Sequence, residues 1–248
     1  NAAVQSGSRS RPRPMKDTAS ASASGHEFTL ASVQRDFVEW RGERTHYAVW
    51  AIDVDTPALR AATAAMRDHL GPCLLPDYHR QPHVTLRLCG FPAAVPRLGD
   101  DYPATTLHRQ ITALHAAAPA PFALEVGRPD SFASAAYLSV ADCAGGIRAV
   151  RQSLSATEGV DDAFPYTPHV TCGLYRGEFH LPTLLREMAG HNPGQPVRLQ
   201  VTRLTLMVYE AAIIGGPLVS LCEFDLATRQ IWITERPLMK RLFGKRLF

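Results

Sequence analysis

Pro82-His83-Val84-Thr85-Leu86-Arg87-Leu88-Cys89-Gly90 and, further along the chain, Pro168-His169-Val170-Thr171-Cys172-Gly173-Leu174-Tyr175 open on the same tetrapeptide. A lone His-x-Thr is expected about once by chance in a chain holding ten His. A second copy of the whole tetrapeptide has a chance expectation on the order of a few per thousand, so duplication of a structural unit explains it better. In a β-strand, residues i and i+2 share a face. His83 and Thr85 therefore project together, as do His169 and Thr171, while Val84 and Val170 turn the other way, into a core. The proline before each copy cannot donate to a sheet ladder and suits a strand start.

The surroundings of the two copies match. Residues 46–54 read as a strand, Thr56 caps a helix with Pro57 in its first turn, and Leu59, Ala62, Met66 and Leu70 lie on one face of that helix up to Gly71. The first motif strand spans 83–89. A helix over 104–117 turns Leu107, Ile111 and Leu114 to one side, and strands follow at 121–127 and 136–141. A helix over 144–157 points Ile147, Val150 and Leu154 inward and leads to the second motif strand at 169–175. A short helix at 181–190 and two long strands at 197–209 and 217–226 complete the pattern. A motif strand that follows a helix in each half predicts an α+β fold of two pseudo-twofold related lobes. The two His-Thr pairs would then face one another across a central groove.

Composition bounds the rest. The chain has 248 residues, 46% of them hydrophobic, and a net charge of +3. It is long enough for two lobes with a real core, and its charge does not by itself require nucleic acid. Residues 1–25, rich in Ser, Ala, Arg and Pro, are expected to be a disordered leader. Residues 26–235 form the two-lobed domain. Residues 236–248 are a basic tail that docks on the body or frays, with a membrane or RNA contact as the weaker alternative. Five scattered Cys without a Cys-x-x-Cys favour a reducing, cytoplasmic setting. No apolar run is long enough to span a membrane.

Two imidazoles can divide the proton transfers of phosphodiester cleavage. The neutral ring takes a proton from the attacking water, and the protonated ring gives one to the leaving oxygen. Threonine hydroxyls can donate to the non-bridging oxygens where charge builds up. The scheme calls for no metal and no cofactor. His79 and His83 have a helical metal-ligand spacing, but Pro82 between them argues against a helix there.

The first motif, together with Phe164-Pro165-Tyr166-Thr167-Pro168-His169-Val170-Thr171, resembles the paired motifs of the two-histidine (2H) phosphoesterase superfamily. It is most similar to the branch of RNA 2′,3′-cyclic phosphodiesterases often labelled 2′-5′ RNA ligases. The resemblance covers residues 45–227. It implies a bilobal fold whose antiparallel sheets line a central groove with helices outside. It also implies metal-independent catalysis by His83 and His169, with Thr85 and Thr171 holding the phosphate. Where that branch carries an Arg after the second motif this chain has Leu174, and Arg176 is the nearest basic residue.

Arg87 shares the His83 and Thr85 face by parity and is a candidate phosphate contact. Tyr166 is a candidate for stacking on a base or ribose, with packing as the alternative. Arg80 and Tyr78, in the loop before the first motif, are weaker candidates, and Phe132 either walls the pocket or fills a lobe. The expected substrate partner is an RNA end or a small nucleotide, with no obligate protein partner. A 2′,3′-cyclic phosphate leads, a 2′-5′ linked or cyclic oligonucleotide follows, and a non-catalytic RNA-binding module is the reading from another class.

Overall fold

The computed structural model describes residues 26–155, 166–191 and 194–244. The expected leader at 1–25 lies outside the described residues, as do 156–157 at the end of the helix expected over 144–157 and the last four residues of the tail.

Helix α1 (Gln34–Arg41) precedes β1 (His46–Asp53), α2 (Pro57–His69), β2 (His83–Ala93), β3 (Asp101–Pro103) and α3 (Ala104–Ala117). Strands β4 (Phe122–Ser131) and β5 (Ala135–Ala141), helix α4 (Gly146–Ser155), β6 (His169–Leu174) and α5 (Leu181–Gly190) follow. The chain continues through β7 (Val197–Val201), β8 (Arg203–Glu210), β9 (Val219–Asp225), β10 (Ile231–Ile233) and α6 (Arg236–Phe243). Thr56 accepts the Leu59 N–H and caps α2, whose Leu59 and Met66 are buried as their spacing requires.

Two sheets result, in the orders β10-β9-β8-β1-β2-β3 and β6-β5-β4-β7. The strand–helix–motif-strand unit appears in both. β2 runs antiparallel to β1 after α2, and β6 antiparallel to β5 after α4. The helices pack crosswise: α2 lies against β6 and α4 against β2. Each lobe's helix therefore closes on the other lobe's motif strand, which joins the lobes into a bilobal α+β body. Val84 and Val170 are fully buried in the shared core, as the motif parity requires.

The long strand expected over 197–209 is two strands. β7 pairs with β4 in the second sheet, and β8 pairs with β1 and β9 in the first, with the chain crossing between sheets at Thr202. β7 alternates, whereas β8 buries Leu204 to Val208 in an unbroken run, and the apolar positions change phase across Thr202 and Arg203. Helix α6 starts where the tail was expected to start, and it buries Leu238, Met239, Leu242 and Phe243 in the main core.

The segment before β1 lies across both lobes. The Thr29 hydroxyl donates to the Gly177 carbonyl at 2.7 Å and accepts from the Phe179 N–H at 2.9 Å, beside the second lobe. The N–H groups of Leu30 and Ser32 bond Ala133 and Tyr175. Further on, Trp40 packs against Tyr47 and Phe91 of the first sheet at centroid distances of 4.9 and 4.7 Å. Among the described residues, no helix is long and apolar enough to cross a membrane.

Candidate active site

The motif strands β2 and β6 pack against one another where the lobes meet. His83, Thr85, His169 and Thr171 all line one open pocket between them. The i, i+2 geometry delivers each pair to the pocket face, and the crosswise helices hold the two strands together.

The two imidazoles are anchored alike. His83 Nδ1 lies 2.8 Å from the Gln81 carbonyl, and His169 Nδ1 lies 2.8 Å from the Thr167 carbonyl. A carbonyl can only accept, so each Nδ1 carries a hydrogen, and each neutral ring has its lone pair on Nε2. Both rings are thus fixed in one tautomer by the backbone two residues upstream.

Their electrostatic settings differ. Burial pushes His83 down to about 3, with the Arg80 guanidinium the second cause and His169 a smaller one, against the bond to Gln81. His169 is also lowered by burial, opposed by its bond to Thr167. Around His169 the neighbours are aromatic. Phe132 meets it edge-on at 4.9 Å, Tyr137 lies at 5.4 Å, and Phe132 stacks on Tyr137 at 4.2 Å. Aromatic rings tolerate an imidazolium better than a guanidinium does. His169 is therefore the easier of the two to protonate.

Arg87 is not in the pocket. A bulge in the β1–β2 ladder, between the partners Trp50↔Arg87 and Ala51↔Thr85, shifts the alternation by one residue. Leu88 takes the pocket-facing place, and Arg87, 1% exposed, donates to Ser155 Oγ of α4 at 2.7 Å. Arg176 is exposed and outside the pocket lining, while Leu174 is in it. Tyr166 does line the pocket. Its hydroxyl donates to the Thr85 carbonyl at 2.8 Å, and the Arg151 guanidinium covers its ring at 3.6 Å, so that face is taken up within the protein. Phe132, 1% exposed, backs His169 rather than walling the pocket.

Arg80 and Tyr78 are both in the lining. Tyr78 is buried beside Thr171, and Gly215 makes room for it. That glycine has φ +66°, and a Cβ there would stand 2.6 Å from the Tyr78 ring. Arg151 and Tyr209 also line the pocket and were missed by sequence reasoning. For Arg151 a signal existed: it sits beside the apolar stripe of α4, four residues after Ile147 and three before Leu154. Tyr209 gave none, because near the end of a mostly buried strand it reads like any half-buried strand aromatic. Among the described residues, no Asp or Glu lines the pocket, and no group of three or more His, Cys, Asp or Glu is placed to hold a metal ion.

A family model described as the 2′-5′ RNA ligase superfamily matches residues 57–212. Among solved structures, E. coli LigT complexed with 3′-AMP is 17% identical, with a TM-score of 0.44 over 74% of this chain and 99% of that one. E. coli LigT complexed with ATP is 16% identical, with a TM-score of 0.43 over 73% and 98%. TT0787 of Thermus thermophilus is 17% identical, with a TM-score of 0.42 over 73% and 97%. No curated protein matches the chain.

Proposed function

We propose that this chain, which belongs to the 2′-5′ RNA ligase superfamily of two-histidine phosphoesterases, hydrolyses a ribose-linked phosphodiester, foremost a 2′,3′-cyclic phosphate of an RNA end or nucleotide. The observation that carries the reading is the pair of imidazoles on one pocket, each with Nδ1 tied to a carbonyl and Nε2 left for chemistry.

In this reading His83 is the general base. Burial and Arg80 keep it neutral, so its Nε2 accepts a proton from water as the water oxygen bonds to phosphorus. His169, protonated at Nε2 once an anion occupies the pocket, is the acid. It donates to the ribose oxygen as the P–O bond to that oxygen breaks, leaving a hydroxyl and a phosphate monoester. Solvent then returns the proton from His83 to His169. Thr85 and Thr171 donate to the non-bridging oxygens, where negative charge grows in the transition state. The two rings supply both proton transfers without a metal.

The test is turnover of 2′,3′-cyclic nucleotides and 2′-5′ linked dinucleotides in excess EDTA. His83→Ala and His169→Ala should each lower kcat by roughly 10²- to 10⁴-fold. Full activity in the double variant overturns the assignment. Tight RNA binding with no product from any substrate favours a binding module instead.

A further inference from the structure

The pocket holds more positive charge than one phosphodiester can balance. Arg80 and Arg151 line it, no carboxylate among the described residues does, and a diester carries a single negative charge. The two guanidiniums are held differently. Arg151 donates to the Leu86 carbonyl as it lies over Tyr166. Arg80 is held from behind: its Nε donates to the Gly216 carbonyl at 3.2 Å and its plane lies 4.0 Å from the Tyr209 ring centre. Among the described residues, its two terminal nitrogens have no hydrogen bond and no ion pair. Tyr209 is itself braced by Tyr47 at 5.8 Å, which packs on Trp40. Val49, Leu88 and Leu218 also line the pocket and pack in one cluster with Tyr209.

We propose that Arg80, braced on Tyr209, is a subsite for a second phosphoryl group, which makes the preferred substrate one that carries a phosphate besides the one that reacts. This rests on the phosphodiesterase reading above. An unpaired, pre-oriented guanidinium fork matches a phosphate in two parallel hydrogen bonds, which gives geometry as well as affinity. An oligonucleotide end or a phosphorylated nucleotide satisfies it, and a bare nucleoside cyclic phosphate leaves it empty.

Calorimetric titration of adenosine 3′-monophosphate and adenosine 3′,5′-bisphosphate into the wild-type protein, Arg80→Gln and Arg80→Lys reads the subsite without turnover. The bisphosphate should bind wild type on the order of tenfold tighter. That preference should fall to about twofold or less in Arg80→Gln and return in part in Arg80→Lys. A wild-type preference near one overturns the proposal. So does an Arg80→Gln variant, folded by circular dichroism, that loses equal affinity for both ligands, since the fork then serves the reacting phosphate or the base. The KM ratio of adenosine 2′,3′-cyclic phosphate with and without a 5′-phosphate should follow the binding ratio. If neither is turned over, the phosphodiesterase reading fails while the binding ratio still decides the subsite.

Discussion

The Tyr166 hydroxyl donates to the Thr85 carbonyl at 2.8 Å, tying the segment that enters the second motif to the strand that carries the first. The bond crosses from one lobe to the other at the level of the two motif pairs. Tyr166→Phe removes it and leaves a carbonyl without its partner. We expect a stability loss of about 1 kcal/mol in urea denaturation. We also expect kcat to fall several-fold while KM changes little, because the bond sets the spacing of the two rings rather than ground-state contact.

In the proposed reaction, burial and, after it, Arg80 set the working range of His83. If His83 is the base, it acts only when neutral, so its protonation would form the acid limb of the kcat/KM profile, which the Arg80 charge helps to lower. Arg80→Gln removes a cause of the lowering, so the limb should move to higher pH. A pH–rate profile from about pH 2.5 to 9 checks the direction; an unmoved or falling limb counts against His83 as the base.

The two buried imidazoles also link stability to pH. Both have folded-state pKa values below the ordinary His value of about 6.5, so the unfolded chain binds more protons as pH drops. Their contribution is complete above about pH 6.5 and is lost progressively toward about pH 3. Wild-type urea midpoints should therefore fall faster through this window than those of the His83→Gln, His169→Gln double variant. Parallel curves would mean the rings are not held neutral by the fold.

Thr29 is fully buried and satisfies two backbone groups of the loop before α5. Thr29→Val keeps the shape and leaves both groups unpaired, at a cost of about 2 kcal/mol. Hydrogen exchange should then speed up in residues 27–45 and at Phe179 before it does in β1 or β2. Uniform acceleration across the sheets would show that the segment is not a separate unit.

Arg87 should behave as a packing residue. Its guanidinium is buried against Ser155. Arg87→Ala should lower stability by about 2–3 kcal/mol through the cavity it leaves and the lost bond to Ser155, and KM in the folded protein should stay within about twofold of wild type. A large KM effect at unchanged stability would restore it to the substrate.

The lesson of β2 is local. Parity placed His83, Thr85 and Val84 correctly because a strand alternates by steric necessity, and the motif lies before the bulge. The same rule misplaced Arg87, since the extra residue at the bulge reverses the faces after it, and whether a ladder bulges depends on the partner strand β1. The split of 197–209 into β7 and β8 left one mark, a change of apolar phase across Thr202 and Arg203, but no sign of which sheet each half joins. Alternation records which side chains are buried, not which sheet buries them.

The repeated tetrapeptide, its flanking helices and their apolar stripes were enough to place two related α+β units and four motif side chains on one pocket, because periodicity and residue type act at short range. Long-range placement decided the rest. It put Arg80 beside His83 and aromatic rings around His169, giving unlike surroundings to imidazoles whose local sequences are alike. A side chain's charge environment is fixed by neighbours that are distant in sequence, and only the folded chain brings them within the few ångströms over which such fields act.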